Sequence, residues 1–173
     1  MAHRKVDFLV IGSGIAGLTY ALKVAEHGKV LILTKADADE SNTKYAQGGI
    51  AAVTHAPDTI EKHIQDTLIA GAGLCDENVV RMVISEGNER IKEIINWGAE
   101  FDRKPTGEFD LVREGGHSEN RVLHHKDKTG QEIERALLEQ IEKHPNIELF
   151  THYYAVDIIT QHHLGEELNK STP

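Results

Sequence analysis

With 173 residues, 39% of them hydrophobic and 27% charged, the chain has the size of one globular domain or of part of a larger one. The formal net charge of −9 argues against nucleic acid as a partner, because phosphate binding requires clustered lysine and arginine. A single cysteine, Cys75, excludes an intrachain disulfide framework, and no apolar run approaches the roughly 18 residues of a membrane span.

The N-terminal residues predict a strand, a helix and a second strand. Residues 6–11 form a short apolar run that ends at a glycine, which is typical of a strand buried in a parallel sheet. Residues 15–27 carry apolar side chains at helical spacing, and residues 29–34 form a second apolar run. Strand, helix and strand within about 30 residues make one right-handed βαβ unit.

A helical insertion is predicted at about residues 58–98, after a polar loop at residues 37–57. Asp58, followed three residues later by a glutamate, is the expected N-cap of its first helix. Asp76 is expected to open a second helix, in which Gly87 marks a bend or a break.

The remainder of the chain alternates strands and a helix. We predict a short strand at residues 122–125, a helix at 130–143 and either two strands or one bent strand at 147–160, before a polar tail at 161–173. The fold class is therefore α/β, a Rossmann-like dinucleotide-binding domain over residues 1–160. We expect this domain to be incomplete, because an open nucleotide-binding sheet usually has more strands.

The dinucleotide signal is the run GSGIAG, which follows the first strand and opens the first helix. Gly12 allows the tight turn, Gly14 lets a pyrophosphate approach the backbone, and Gly17 lets the helix pack closely on the strand. The helix N-terminus supplies N–H groups and partial positive charge for phosphate. The second strand ends in Thr34 and Lys35 instead of the acid that holds the ribose of NAD, so either NADP or another dinucleotide is favoured.

The segments SNTKYAQGGIAAV, WGAEFDR and REGGHSENRVLHHKDKTGQEI resemble the L-aspartate oxidase family, which is grouped with the succinate dehydrogenase and fumarate reductase flavoproteins. The resemblance implies FAD, and it implies that the loop at 42–49 runs along the flavin. Asn42 stands where membrane-bound relatives carry the histidine that attaches flavin, so we expect non-covalent FAD. The cofactor-binding residues implied by the resemblance are Gly12, Ser13, Gly14, Ile15, Ala16, Gly17, Lys35, Asn42, Thr43, Lys44, Tyr45, Ala46, Gln47, Gly48, Gly49, Ala155 and Val156.

The motif REGGHS predicts the substrate site. Relatives that use succinate have an apolar residue before the two glycines, whereas this chain has Glu114. A carboxylate there can attract an α-ammonium group, which aspartate has and succinate lacks. We therefore expect Glu114 to act as a catalytic and substrate-binding residue and His117 to shape the substrate site. The adjacent pair His124–His125 would chelate poorly, because neighbours on a strand point to opposite faces, and we expect no metal site.

The resemblance implies oxidation of L-aspartate to iminoaspartate, with electrons passed to oxygen, giving hydrogen peroxide, or to fumarate. This would be the first step of de novo NAD biosynthesis through quinolinate, in the cytoplasm and with functional coupling to quinolinate synthase. Members of the family continue into a capping domain and a C-terminal helical domain that carry the catalytic arginine, so we expect a fragment that is inactive alone. The alternatives are a soluble fumarate reductase or succinate-oxidising flavoprotein, and a non-catalytic nucleotide-binding fragment.

Overall fold

The computed structural model describes residues 3–165. Helices and short strands alternate along the chain, and a turn of 3-10 helix at Gln161–Leu164 follows the last strand. In chain order the elements are β1 (Phe8–Ile11), α1 (Ile15–Val24), β2 (Val30–Leu33), β3 (Ile50–Ala51), α2 (Ile60–Ala70), α3 (Glu77–Asn96), β4 (Val122–Leu123), α4 (Thr129–Lys143) and β5 (Ile147–Phe150).

The principal sheet is parallel and has the strand order β1-β2-β5. Helices α1 and α4 pack against each other, and both contact this sheet. Leu18 and Ala21 of α1 and Leu137 of α4 are fully buried between the helices and the strands. The predicted βαβ unit and the α/β fold class are confirmed.

The exposed side chains of β1 show that the helices cover one face of the sheet within the described residues. Val10 is buried, whereas Leu9 and Ile11 on the opposite face are 54% and 50% exposed. The alternation follows from the two-residue period of a strand. No helix in residues 3–165 is long and apolar enough to cross a membrane.

The insertion consists of α2 and α3, which pack against each other. The prediction that Asp58 caps α2 is wrong: the N-cap is Thr59, whose hydroxyl accepts a hydrogen bond from the Lys62 amide at 3.2 Å. The Asp58 carboxylate is instead used by the buried guanidinium of Arg121. The prediction that Asp76 caps α3 is confirmed, because its carboxylate accepts a hydrogen bond from the amide two residues later at 2.9 Å.

Helix α3 has no break at Gly87, because its 20 residues run without interruption from Glu77 to Asn96. Glycine inside a helix costs about 1 kcal/mol relative to alanine. Ile84 precedes this glycine, Ile91 and Ile94 follow it, and all three are buried on one side of α3. This continuous apolar face offsets the cost.

The prediction of strand over residues 147–160 is correct only for β5 at Ile147–Phe150. The chain leaves the sheet after this strand, and His152 adopts a φ of +59°, in the left-handed region that strands do not use. Residues 153–160 form no regular secondary structure. The predicted tail at 161–173 falls partly outside the described residues, which end at 165.

A second, two-stranded sheet was not predicted. β3 lies within sequence interpreted as loop, and it pairs antiparallel with β4 so that Ile50 faces Leu123 and Ala51 faces Val122. An isolated bridge joins Val112 to Val122. This pairing brings the polar loop that precedes β3 next to the segment that contains REGGHS.

Candidate functional site

The GSGIAG turn has the backbone geometry of a phosphate cradle. Gly12 has a φ of +104°, which a residue with a side chain rarely adopts. A Cβ atom on Gly17 would lie 2.3 Å from the Gly12 carbonyl oxygen, so α1 can approach β1 only with glycine at this position. Gly14 is the extended N-cap residue of α1. Gly12 and Gly17 therefore have the structural roles that their spacing predicts, whereas the role of Gly14 towards a pyrophosphate stays a prediction.

The N-terminus of α1 is electrostatically suited to an anion. Its first turn contains no acidic residue, and Gly14 offers no side-chain cap. The helix dipole and the amide groups of this turn therefore remain directed at whatever lies in front of the helix. The Ile15 amide donates a hydrogen bond to the Thr43 hydroxyl at 3.0 Å, which ties the polar loop to this turn.

Helix α4 supports the polar loop from behind. The Gly130 amide donates to the Ala46 carbonyl at 3.0 Å, and a Cβ atom on Gly130 would lie 1.9 Å from the Thr43 carbonyl oxygen. The Ser41 hydroxyl donates to the buried carboxylate of Glu134 at 2.8 Å. The loop is therefore held between α4 and the α1 N-terminus.

A groove of about 770 Å³ runs along the carboxyl ends of β1 and β2, where ligands bind in open α/β sheets. It combines the glycine turn, the end of β2, the polar loop and the segment after β5. The lining residues are Ile11, Gly12, Ser13, Gly14, Ile15, Ala16, Gly17, Leu33, Thr34, Lys35, Glu40, Ser41, Asn42, Thr43, Tyr45, Tyr153, Tyr154 and Ala155.

The segment containing REGGHS lies beside the polar loop. An ideal Cβ atom on Gly48 would lie 3.9 Å from Glu114 Oε1, so the exposed carboxylate is next to the glycine pair of YAQGG. The His117 amide donates to the Glu114 carbonyl at 3.2 Å and closes a tight turn. Two motifs that are far apart in sequence therefore share one edge of the molecule.

A buried ionic network fixes this segment to the insertion. Arg121 is fully buried; it donates two hydrogen bonds of 2.8 Å to Asp58 and one of 2.5 Å to Asp66. Asp66 also accepts from the amide and the hydroxyl of Ser118, at 2.7 and 2.8 Å. Burial would raise the pKa of Asp66, but the hydrogen bonds from Ser118 and Arg121 outweigh it and lower the pKa to about 2.

Two imidazoles meet behind the REGGHS turn. The ring of His63 from α2 lies 5.7 Å from that of His117, and neither buried Nδ1 has a hydrogen-bond partner within the described chain. Burial, together with Arg121 and His117, lowers the pKa of His63, so its ring is neutral at pH 7. Within residues 3–165 no cluster of three histidine, cysteine or acidic side chains could hold a metal ion.

The FAD binding domain model matches residues 7–169, which is nearly the whole chain. The chain belongs to the FAD binding domain family. FAD is therefore the cofactor indicated for the groove, and the glycine cradle and the absence of an acidic residue in the first turn of α1 fit it.

The relatives of this FAD binding domain include plant and bacterial L-aspartate oxidases. The chain is 59% identical over 157 residues to L-aspartate oxidase 2-a, chloroplastic, of Nicotiana tabacum, covering 91% of this chain and 24% of the relative. It is 47% identical over 173 residues to the L-aspartate oxidase of Vibrio cholerae, covering 97% of this chain and 32% of the relative. The resemblance read from the motifs is confirmed, and the chain spans a quarter to a third of these relatives' length.

Solved structures place the FAD binding domain among the fumarate reductase flavoproteins. A quinol fumarate reductase of E. coli superimposes with a TM-score of 0.82 and 30% identity, covering 88% of this chain and 26% of that chain. A quinol-fumarate reductase with menaquinol molecules gives 0.86 and 29%, covering 92% and 28%. The chain is thus an α/β FAD-binding domain of the succinate dehydrogenase and fumarate reductase class.

Six of the residues predicted to bind FAD do not line the groove. Lys44 pairs with Asp39 at 2.6 Å, Ala46 faces α4, and Val156 is 90% exposed beyond the end of the groove. Gly48 lies next to Glu114 and Gly49 next to β4, and Gln47 is the sixth. The predicted residues that do line it are Gly12, Ser13, Gly14, Ile15, Ala16, Gly17, Lys35, Asn42, Thr43, Tyr45 and Ala155.

Gly49 has a structural reason to be glycine. A Cβ atom there would lie 2.2 Å from Val122 Cγ1 and 2.4 Å from the Leu123 carbonyl oxygen, so the β3–β4 pairing requires its absence. A Cβ atom on Gly48, by contrast, would have only Glu114 Oε1 within 4 Å. Gly48 alone of the pair leaves the backbone open to a ligand.

Several groove residues were not predicted from the sequence. Glu40 accepts a hydrogen bond from the Tyr45 hydroxyl at 2.8 Å and brings an acid to the groove that the end of β2 lacks. Tyr153 and Tyr154 lie three and four residues after the end of β5. Their position after a predicted strand could have identified them, because ligands of open α/β sheets bind at the carboxyl ends of the parallel strands.

Proposed function

We propose that a protein containing this chain oxidises L-aspartate to iminoaspartate, using non-covalently bound FAD and passing electrons to oxygen, with release of hydrogen peroxide, or to fumarate. We place this reaction at the first step of de novo NAD biosynthesis through quinolinate, with functional coupling to quinolinate synthase. The cytoplasm remains the proposed location, although the plant relatives are named chloroplastic.

The observation that carries this proposal is the position of Glu114. Its carboxylate lies next to Gly48, at the end of the loop that continues from the FAD groove. A carboxylate in this position suits the α-ammonium group of an amino acid, and the relatives named L-aspartate oxidase share 43% identity or more with the chain.

FAD supplies the hydride-accepting chemistry, and the chain's residues hold and orient the reactants. The amides of the glycine turn and the α1 N-terminus bind the pyrophosphate, with Lys35 contributing positive charge. Asn42 cannot form a histidyl bond, so the flavin is retained by contacts alone. We assign the isoalloxazine side to the loop at residues 42–48 and the adenine side to Ala155, the residue of the segment after β5 that lines the groove together with the two tyrosines before it.

The substrate side is assigned to the REGGHS turn. Glu114 orients L-aspartate by its ammonium group, and His117, whose ring is packed against His63, shapes the wall behind it. The insertion holds this turn rigidly through Arg121, so the carboxylate stays in place when substrate binds.

A fumarate-reducing or succinate-oxidising flavoprotein is the second candidate, favoured by the fumarate reductase structures that superimpose on the chain. A non-catalytic FAD-binding role for the chain alone is the third. The charge of Glu114 separates the first two, since fumarate and succinate have no ammonium group for it to bind.

The test uses a chimera in which this chain replaces the matching segment of the tobacco relative. Glu114→Gln keeps the size and removes the charge, and losing a charge-assisted hydrogen bond costs about 1.5–3 kcal/mol, or roughly 10- to 100-fold in kcat/KM. We expect L-aspartate oxidation to fall by this factor and fumarate reduction to change much less. Glu119→Gln is the matched control, because that carboxylate pairs with Lys62 at 2.6 Å near the surface.

Both reactions are measured on one flavin-loaded preparation of each variant. Equal losses of the two activities in Glu114→Gln would contradict the proposed role of its charge. Unchanged activities would make Glu114 an ordinary surface residue. Fumarate reduction without any L-aspartate oxidation in the unmodified chimera would favour the second candidate.

A further inference from the structure

Glu134 is a buried carboxyl group that supports the FAD groove without lining it. The residue lies in α4, is 1% exposed and accepts a hydrogen bond from the Ser41 hydroxyl through Oε2 at 2.8 Å. Its other oxygen, Oε1, is also buried and has no hydrogen-bond partner in the described part of the chain. An acceptor left in this state is costly, so it signals a role other than stability.

The charges around Glu134 come mainly from the polar loop. Asp39 and Lys44 face it from that loop and pair with each other at 2.6 Å. On its own helix, Arg135 is occupied by Glu132 at 2.7 Å. Helix α1, which packs on α4, buries the apolar Leu18 and Ala21.

The titration of Glu134 falls in the physiological range. Burial raises its pKa to about 7, and Asp39 acts in the same direction, against the hydroxyls of Ser41 and Thr43 and the ammonium of Lys44. A small electrostatic change in the groove therefore alters its charge at neutral pH.

Thr43 connects Glu134 to the anion-binding end of α1. Its hydroxyl oxygen accepts from the Ile15 amide at 3.0 Å, and its side chain is also close enough to influence the charge of Glu134. A threonine hydroxyl has one proton to donate. That proton can go towards the carboxylate or towards an anion in front of the helix, but not to both.

We propose that Glu134 is a positioning residue of the FAD groove, and that binding of the FAD pyrophosphate is coupled to uptake of a proton by its carboxylate. The proton comes from solvent and adds to the carboxylate. The neutral carboxyl group no longer competes for the Thr43 hydroxyl proton, which then turns to a phosphate oxygen, and no bond between heavy atoms forms or breaks.

The direction of the coupling follows from charge. A pyrophosphate at the α1 N-terminus brings negative charge towards Glu134, which favours the neutral carboxyl form. By linkage, protonation of Glu134 must then strengthen binding to the same extent. FAD affinity should therefore fall as the pH rises through the pKa of the free protein. This inference rests on FAD binding as proposed above.

The experiment measures FAD binding by flavin fluorescence from pH 6 to 9, together with proton uptake by calorimetry in two buffers of different ionisation enthalpy. If binding raises the pKa by about one unit, affinity falls roughly 5-fold or more between pH 6.5 and 8.5, and about half a proton is taken up per FAD near pH 7.5. Glu134→Gln should remove both effects. Glu139→Gln, an exposed neighbour on α4, should retain them.

Thr43→Val provides a second route to the same result, because it removes the hydroxyl that links the two groups while leaving Glu134 ionisable. We expect it to reduce proton uptake near neutral pH, because only the direct effect of the pyrophosphate charge on Glu134 remains. FAD binding with the same pH dependence in the wild type and in Glu134→Gln would overturn this inference and leave FAD binding intact. Binding without proton uptake in the wild type would do the same. Absence of FAD binding at every pH would overturn the inference and the cofactor assignment together.

Discussion

Replacing Arg121 with methionine should reveal how much the buried ionic network contributes to stability. The guanidinium is fully buried, and its carboxylate partners Asp58 and Asp66 have side chains that are only 2% and 14% exposed. Arg121→Met keeps the apolar stem of the side chain but leaves both carboxylates in a low dielectric without a cation. Removing one partner of a buried ion pair costs about 3–5 kcal/mol.

The pH dependence of this loss follows from the direction of the pKa shifts. In the wild type the pKa of Asp66 is about 2, below its usual 3.8, so its contribution of about 2 kcal/mol to the free energy of unfolding is present above pH 3.8 and is lost only as the pH falls towards 2. In Arg121→Met the unpaired carboxylates have raised pKa values and take up protons at higher pH. The variant should therefore recover part of its deficit between pH 7 and pH 5, where the contribution of Asp66 to the wild type is constant.

The assay is urea unfolding followed by the fluorescence of the single tryptophan, Trp97, at pH 7 and pH 5. Arg81→Met is the matched control, because Arg81 also contacts two carboxylates, Glu61 and Glu77, but its side chain is 42% exposed. The free energy of unfolding of this control should fall by less than about 1 kcal/mol. Equal losses in the two variants, or a deficit in Arg121→Met that does not shrink at pH 5, would refute the reasoning.

Three further outcomes are expected. Gly17→Ala places a methyl group 2.3 Å from the Gly12 carbonyl oxygen and should weaken FAD binding by about 1–3 kcal/mol. Gly115→Ala is the control, because its methyl group would meet no atom within 4 Å and FAD binding should be unchanged; fluorescence titration measures both affinities. Because Asn42 replaces the attaching histidine, acid precipitation should release FAD, which chromatography identifies. A protein pellet that stays yellow would contradict non-covalent binding, and release of a nicotinamide dinucleotide would contradict FAD as the cofactor. The chain alone should not oxidise L-aspartate when FAD is added, since orientation and charge stabilisation each contribute several kcal/mol to catalysis; peroxide formation at the rate of an intact oxidase would contradict this.

The local features of the fold could be predicted from the sequence. The glycine turn, β1, α1 and β2 are neighbours in the chain, and their patterns decide both structure and role. Asp58 shows where this stops: its spacing fits a helix cap, yet Arg121, which is 63 residues away, takes the carboxylate. A contact between residues so far apart in the chain cannot be predicted from a short stretch of sequence.

The candidate site divides in the same way. The phosphate cradle and Glu114 were identified from motifs, because the spacing of the glycines and the charge of the carboxylate indicate what each can bind. Gly49 was assigned to the flavin, but its contact with Val122 depends on the pairing of β3 with β4, which no sequence pattern predicts. Glu134 was missed because it is one of several glutamates in α4, and nothing in the sequence marks which of them is buried.

The two-residue pairing of β3 with β4 links the cofactor loop to the segment that carries Glu114. The FAD cradle is built on β1, α1 and α4, whereas the REGGHS turn is anchored to α2 through Arg121. In the enzyme proposed above, the register of this pairing helps to set where Glu114 lies relative to the flavin, because a slip of one residue would turn the side chains of the strand to its other face. A change of substrate preference could accordingly arise by remodelling the insertion while the cofactor half of the molecule kept its sequence.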